Sequence, residues 1–209
     1  MKFYDCSTAP SPRRVRVFIA EKGIEIPTQQ VDLRNGEQFE DWFKALNPKC
    51  VVPVLELDDG TPLCEITAIC RYLEELHPEP PLMGIDAKDR ALVEMWQRRV
   101  EFDGLMAVAE AFRNATPAFA ERAMPGPRKV AQIPELAARG RERFGWFMED
   151  MNDRLADNEF IAGPRYTIAD ISAMVAIDFA GWSKITIPES CGNLKRWHDT
   201  VSARPSAKA

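Results

Sequence analysis

Hydroxyl and guanidinium side chains are concentrated where the first helical segment begins. Residues 6–16, CSTAPSPRRVR, contain three hydroxyl groups and three arginines. A helix start offers unpaired N–H groups and the positive end of the helix dipole, which stabilise an anion such as a thiolate. A hydroxyl that donates to a thiolate contributes roughly 1.5–3 kcal/mol, enough to lower a thiol pKa by about 1–2 units. The alternative is a capped helix with solvated arginines.

A lone acid, Glu65, stands at the start of an apolar helical segment. Its carboxylate can accept hydrogen bonds from an ammonium group, while the N–H groups of the helix start can bind a carboxylate. One place therefore offers both sites that an amino-acid zwitterion requires. The alternative is that Glu65 only caps the helix.

Pro53 interrupts an apolar strand predicted over residues 51–57. Proline has no N–H, so it is tolerated at a sheet edge or where a ligand replaces the neighbouring strand. A cis Val52–Pro53 bond, which about 5–6% of X-Pro bonds adopt, would aim the Val52 N–H and C=O outward. An extended peptide could then pair with them. The alternative is an edge strand with a trans proline.

The elements that carry these groups follow the order β-α-β-α-β-β-α over residues 1–77. Strands are predicted at residues 2–5, 27–33, 51–57 and 62–64, and helices at 11–22, 38–46 and 67–76. Ser11 is predicted to cap the first helix, with Pro12 in its first helical position.

The rest of the chain is predicted to be helical. Prolines at 78, 80 and 81 cannot continue a helix, so residues 78–86 are predicted to be a linker. Residues 87–209 are predicted to form an all-helical domain, with helices at 87–115, 134–155, 167–180 and 194–201. Thr167 and Asp170 match a capping box, which we interpret as structural.

Composition excludes several classes of function. The net charge of −5 does not favour a nucleic-acid surface. The sequence contains no run of about 18 apolar residues, so no membrane span is predicted. The first ten residues lack the apolar core of a signal peptide. We therefore expect a cytoplasmic protein without nucleic-acid or membrane partners. The five cysteines form no C-x-x-C pair, so no metal site is expected.

Together these motifs resemble the cytosolic glutathione transferases. The resemblance rests on VPVLELDDG from residue 52, EITAICRYLE from 65, the proline-rich linker and FIAGPRYTIADI from 160. The stretches YDCSTAPSPRRVRVFIAEKGI and ATPAF are similar to the branch found in yeast and many proteobacteria. The resemblance implies a thioredoxin-like N-terminal domain that binds glutathione, a helical domain that binds an electrophile, and a homodimer. Glutathione would be the co-substrate, with no cofactor.

The resemblance also implies positions for glutathione. Pro53 would be the cis-proline, with the Val52 backbone paired to the cysteinyl part. Glu65 and the backbone of Ile66 would hold the γ-glutamyl end. The family usually has Glu-Ser where this chain has Glu65-Ile66, so one hydroxyl contact is missing. Binding is expected to be weaker unless Thr67 compensates.

Gln38 and the Lys49-Cys50 region would face the glycyl carboxylate. Ser11 is the predicted catalytic residue that contacts the sulfur. Ser7 or Thr8 is the first alternative, and the helix N-terminus with a water is another.

The electrophile pocket is predicted to use Met106, Glu110, Arg113 and Asn114. The last two would stabilise developing negative charge. The alternatives are that Met106 is core, that Arg113 is solvated, or that Glu110 and Arg113 pair at i, i+3.

The predicted function is conjugation of glutathione thiolate to small hydrophobic electrophiles in detoxification. A glutathione-dependent disulfide or peroxide reductase would use the same site. A non-catalytic binding protein on the same fold is the remaining alternative.

Overall fold

The N-terminal part of the chain is a four-stranded mixed sheet flanked by helices. We describe all 209 residues from a computed structural model. The strands are β1 (Lys2–Asp5), β2 (Thr28–Gln30), β3 (Val54–Glu56) and β4 (Pro62–Leu63), in the spatial order β2-β1-β3-β4. β1 is parallel to β2 and antiparallel to β3, which is antiparallel to β4. This is the predicted thioredoxin-like arrangement, and the solved structures described below confirm it.

Strand β3 begins one residue after Pro53, the proline that interrupts the predicted strand. The predicted strand 51–57 is therefore too long, because β3 starts at Val54. Pro53 lacks the N–H that a strand pairing would need, and Cys50 turns the chain with a φ of 53°. The Val52–Pro53 bond is cis, which confirms that prediction.

Three helices accompany the sheet: α1 (Pro10–Lys22), α2 (Asp41–Leu46) and α3 (Ile66–Leu76). The predicted cap at Ser11 is wrong, because Ala9 occupies the N-cap position and Ser11 lies inside the first turn. Pro10 explains the earlier start, since its ring fixes a helical φ and its missing N–H costs nothing there. The first part of the predicted helix 38–46 is a 3₁₀ turn, Glu37–Phe39.

The helical part begins with a long rod in three sections. These are α4 (Ala87–Arg99), a π segment (Val100–Leu105) and α5 (Met106–Arg113). The rod ends two residues before the predicted limit of 115. Gly104 lies near the end of the π segment, where the Phe147 ring approaches so closely that a Cβ would be 2.9 Å from it.

Three more helices complete the fold: α6 (Pro134–Arg154), α7 (Ile168–Ala180) and α8 (Gly192–Ser202). α7 is buried along nearly its whole length, and the Thr167–Asp170 capping box starts it as predicted. The Asp170 carboxylate also accepts from the Ile161 N–H at 2.9 Å and the Trp197 indole at 3.0 Å. Burial raises the pKa of Asp170 to about 6. None of the helices combines the length and apolarity needed to cross a membrane.

α1 joins the two parts of the chain. Arg13 donates to the Asp178 carboxylate of α7 at 2.6 Å. Arg204, just beyond α8, forms a bidentate pair with Glu21, with both N–O distances at 2.7 Å. The helix that carries the predicted catalytic residue is therefore fixed by segments from the far end of the chain.

Candidate functional site

A small apolar cluster brings the three sequence motifs together. Cys6, from the β1–α1 turn, and Val52, next to Pro53, belong to one buried cluster. Ala9, at the start of α1, and Cys64, next to Glu65, pack against that cluster. The helix start, the cis-proline and the acid therefore surround one region of the N-terminal domain.

Ser11 is the main hydrogen-bond donor in the first turn of α1. Pro10 and Pro12 have no N–H, and the Arg13 N–H is bonded to the Ala9 carbonyl at 3.3 Å. Ser11 retains both its N–H and its hydroxyl, and its side chain is exposed. An anion at this helix start would meet these two donors first.

The two alternative hydroxyls lie in the preceding turn. Ser7 and Thr8 are both exposed. The Thr8 hydroxyl is 3.5 Å from the Cys6 sulfur. The Ser7 N–H donates to the Gln30 side chain at 2.8 Å, so the backbone of this turn is fixed.

The three arginines of α1 are paired, so the alternative of solvated arginines is wrong. Arg13 bonds to Asp178. Arg16 bonds to the buried carboxylate of Asp5 at 2.7 Å. Arg14 is itself buried, and burial, partly offset by Glu101, lowers its pKa. These cations hold α1 in place instead of forming an open anion site.

The side chain and the backbone of Val52 have different surroundings. Its side chain is buried in the apolar cluster, while its N–H and C=O form no hydrogen bond within the chain. The neighbouring Val51 carbonyl is held by the Asn47 side chain at 2.8 Å. Unpaired backbone groups beside a sheet are what strand addition by a peptide ligand uses.

Both predicted binding features at the start of α3 lack hydrogen-bond partners within the chain. Glu65 is at the N-cap position but makes no capping hydrogen bond, so the alternative of a simple cap is wrong. The first helical N–H to be bonded is that of Ile69, which leaves those of Ile66 and Thr67 unpaired. The Ile66 side chain points into the main core, 8% exposed. The Thr67 hydroxyl donates to Glu101 at 3.3 Å.

The residues predicted at the glycyl end differ in exposure. Gln38 is 2% exposed, and its enclosed side-chain oxygen has no hydrogen-bond partner. Lys49 is exposed, and its N–H donates to the Asn47 side chain at 3.0 Å. The pair thus offers a buried amide and a solvated ammonium.

The residues predicted for the electrophile pocket are spread along α5. Met106 is 50% exposed, so the alternative that it is core is wrong. Glu110 pairs with Arg143 of α6 at 3.2 Å, instead of with Arg113. The Asn114 side chain accepts from the Ile133 N–H at 3.0 Å and donates to the Glu110 carbonyl.

Arg113 is partly buried instead of solvated. Its guanidinium donates to the Ala123 carbonyl at 3.2 Å and to the Arg122 carbonyl. Burial and the charge of Arg122 lower the pKa of Arg113 to about 10. Arg113 therefore organises the loop that follows α5.

An aromatic cluster next to Arg113 was not predicted. Phe112 makes edge-on contacts with Phe119, Phe179 and Trp182, with ring centroids 5.2–5.6 Å apart. Trp182 is 55% exposed, so the cluster reaches the surface. The available signal was the i, i+3 spacing of Phe179, on α7, and Trp182, in the 3₁₀ turn that follows α7.

Comparisons with known proteins show the family of this chain. Residues 8–76 match the family model of the glutathione S-transferase N-terminal domain, and residues 116–205 match that of the C-terminal domain. Glutathione S-transferase 2 of Saccharomyces cerevisiae is 34% identical, over 100% of this chain and 88% of the relative.

Solved structures extend the likeness to the whole fold. A glutathione S-transferase domain-containing protein of Marinobacter aquaeolei VT8 has a TM-score of 0.92 at 38% identity, covering 99% of both chains. Gtt2 from Saccharomyces cerevisiae has a TM-score of 0.91 at 32% identity, covering 100% of this chain and 99% of that one. The domains, the fold and the sequence all agree: this chain belongs to the glutathione S-transferase family.

Proposed function

We propose that this chain binds glutathione across the cis-proline and conjugates its thiolate to small hydrophobic electrophiles. One observation carries the proposal: the unpaired Val52 backbone, the unpaired start of α3 and the Ser11 donors surround the same region. Each would engage a different part of the tripeptide.

The binding step uses complementary charges and unpaired backbone groups. The Val52 N–H and C=O would pair with the cysteinyl residue, beside Pro53. Glu65 would accept from the γ-glutamyl ammonium, and the N–H groups of Ile66 and Thr67 would donate to its carboxylate. Gln38 and Lys49 would face the glycyl carboxylate, which extends the peptide along the sheet edge.

Ser11 would stabilise the sulfur as a thiolate, through its hydroxyl and N–H. The thiol proton leaves to solvent, and the sulfur electron pair forms a bond to the electrophilic carbon. Where the electrophile carries a leaving group, that group departs with its bonding electrons; where it carries none, the electrons of its polarised double bond or strained ring move to the adjacent atom, which takes a proton from solvent. The rate gain comes from a lowered thiol pKa and from holding the two reactants together. Ser7 and Thr8 are the alternative donors.

The electrophile would bind against α5 and the helical domain. The pocket proposed from the sequence, Met106, Glu110, Arg113 and Asn114, is extended by the aromatic cluster around Phe112. Trp182 gives the cluster an exposed face, which suits a small apolar molecule.

We further propose a cytoplasmic detoxification role and a homodimer. Met95 and Phe102, one on α4 and one on the adjoining π segment, are 39% and 53% exposed. Apolar side chains exposed along one rod support burial in an interface. Sedimentation equilibrium would give twice the chain mass of 23.6 kDa, and a monomer at all concentrations would contradict the dimer.

The deciding experiment measures the thiolate absorbance of glutathione against pH, with and without the protein. S-methylglutathione serves as the control that subtracts the signal of the five protein cysteines. We expect a glutathione-specific thiolate signal below the pKa of free glutathione, together with conjugation of a nitro-activated aryl chloride. Binding without a shifted thiolate would refute transferase chemistry. Reduction of a disulfide without any conjugation would favour the reductase.

A further inference from the structure

A segment of the helical domain extends over the glutathione-binding domain. Residues 114–133, which we call the flap, connect α5 to α6. The flap is ordered by its own contacts, because Arg122 and Val130 form a bridge in which the Ala123 N–H donates to the Val130 carbonyl at 3.0 Å. The Gln132 side chain donates to the carbonyls of Arg113 and Thr116, at 2.7 and 2.8 Å.

The flap contacts the two segments that are proposed to face the glycyl end of glutathione. The Arg122 guanidinium lies over the Phe39 ring, with 5.2 Å between Cζ and the ring centroid. Phe39 directly follows Gln38. Further along the flap, Gly126 approaches Lys49 so closely that a Cβ would lie 3.4 Å from the Lys49 carbonyl oxygen. The flap thus spans the distance between these two segments.

Positive charge accumulates there without a counter-ion from the protein. No carboxylate lies within 4.0 Å of the Arg122 or Arg113 guanidinium. The charge of Arg122 contributes to the lowered pKa of Arg113, so the two cations are close enough to repel one another. The nearby flap acid, Glu121, is paired with Lys129 at 3.1 Å.

The neighbouring amide is also unsatisfied. Gln38 is almost fully buried, its side-chain amide forms no hydrogen bond within the chain, and its oxygen is enclosed. A buried polar group without a partner costs free energy. A ligand carboxylate beside Gln38 and Arg122 would accept from the amide hydrogens and neutralise the excess positive charge, whereas the enclosed amide oxygen is an acceptor and would need a donor such as the glycyl N–H.

We propose that Arg122 binds the glycyl carboxylate of glutathione from the helical side of the cleft, so that the flap closes over that end of the peptide. The inference rests on the proposed function and adds a binding residue from the other domain. The Phe39 ring restrains the Arg122 guanidinium, and the hydrogen bond from Arg113 to the Arg122 carbonyl restrains its backbone. An arginine so restrained loses less freedom when it binds a carboxylate.

The test compares two ligands that differ only at the glycyl carboxyl group. S-methylglutathione and its glycyl ethyl ester are titrated by calorimetry into wild type, Arg122→Gln, Arg122→Lys and Arg128→Gln. Arg128 is the matched control, because it is an exposed arginine on the same flap. Thermal unfolding of each variant checks that the flap change leaves the fold intact.

We expect Arg122→Gln to weaken binding of the acid about tenfold and to change binding of the ester by less than about twofold. Arg122→Lys keeps the charge and should lose less affinity, and Arg128→Gln should behave as wild type. An acid-to-ester ratio unchanged by Arg122→Gln, or equal weakening of both ligands, would overturn the assignment. Failure of wild type to bind either ligand would instead refute the proposed function itself.

Discussion

Arg14 of α1 and Glu101 of the π segment form an ion pair with 3.0 Å between Nη1 and Oε1. The two side chains are only 8% and 17% exposed. Glu101 also accepts from the Thr67 hydroxyl at 3.3 Å and from the Gln97 amide at 3.1 Å. One carboxylate thus connects α1, the first turn of α3 and the long rod. A π segment often marks a functional position in a helix, and here it contains the acid that joins both domains.

Removing the charge of Glu101 is expected to destabilise the whole protein. Glu101→Gln leaves the Arg14 guanidinium buried without a counter-ion, so the free energy of unfolding should fall by about 3 kcal/mol. Urea denaturation gives the value. The matched control is Glu94→Gln, whose partners Arg71 and Arg98 are about half exposed, and which should cost less than about 1 kcal/mol. Equal effects of the two substitutions would contradict the role of the buried pair.

Ser11→Ala is expected to raise the pKa of the bound glutathione thiol by about 1–2 units. The reason is that Pro10 and Pro12 leave few other donors in the first turn. The thiolate absorbance titration measures this shift, and Ser7→Ala and Thr8→Ala are the comparison variants. A shift caused by either of these, with none from Ser11→Ala, would move the catalytic assignment to the preceding turn.

Ile66→Ser is expected to change stability and affinity in opposite directions. Loss of an almost fully buried apolar side chain should lower the free energy of unfolding by about 2 kcal/mol. The new hydroxyl, at the start of α3, should tighten glutathione binding up to about tenfold. Ile66→Ala removes the same packing without adding a donor, so it should lose stability with no gain in affinity. A gain by both variants would show that the hydroxyl is not its source.

Two glycines of α6 provide a test of helix packing. A Cβ at Gly140 would lie 2.6 Å from the Ala107 carbonyl and 2.7 Å from the Ala111 nitrogen, whereas a Cβ at Gly145 would meet nothing within 4 Å. Gly140→Ala should therefore separate α5 from α6 and destabilise the protein by about 2–3 kcal/mol. Gly145→Ala should stabilise it by about 0.5–1 kcal/mol, through helix propensity. Thermal unfolding of both variants measures these changes in stability. If Gly140→Ala left the stability unchanged, the close approach of α5 to α6 would be contradicted.

Asp178 gives a pH-dependent contribution to stability. Burial alone would raise the pKa of Asp178, but hydrogen bonds from His198 and Arg13 outweigh burial and hold it below the ordinary value. Its contribution is therefore complete above the unfolded pKa of about 4 and is lost as the pH falls through the lower folded pKa.

Asp178→Asn should destabilise the protein by about 1–2 kcal/mol at neutral pH. The difference from wild type should shrink as the pH falls below about 4. Denaturation curves across this range measure it, with the exposed Asp199→Asn on α8 as control. A difference that stayed constant with pH would refute the linkage.

Much of the fold was predictable because its signals are local. The Thr167–Asp170 capping box starts α7, and Gly23 ends α1 with a left-handed φ of 63°. Element ends were less reliable where two local signals compete. Pro10 and Pro12 both suit the first position of a helix. The prediction placed Pro12 there and Ser11 at the cap, whereas α1 starts at Pro10 and Ala9 occupies the N-cap position.

The candidate site was predictable only where the resemblance supplied positions. Its supports come from distant parts of the chain: Glu101 is 87 residues from Arg14, and Arg122 reaches Phe39 from the other domain. Helical spacing alone suggested Arg113 as a pocket residue of α5. Spacing does not indicate which groups the side chain contacts, and Arg113 in fact donates to two carbonyls of the flap. Such pairings depend on how the domains dock, which no single segment specifies.

The clamp between Glu21 and Arg204 also has a consequence for biosynthesis. The two residues are 183 positions apart, so at about 5–20 residues per second the ribosome reaches Arg204 roughly 10–40 seconds after Glu21. Once β2, β3 and β4 have followed, α1 has its sheet but still lacks its partners from the C-terminal region. The helix that carries Ser11 is therefore among the first to be synthesised and among the last to be fixed in place. A nascent chain held at that stage would expose the uncovered face of α1 to chaperones.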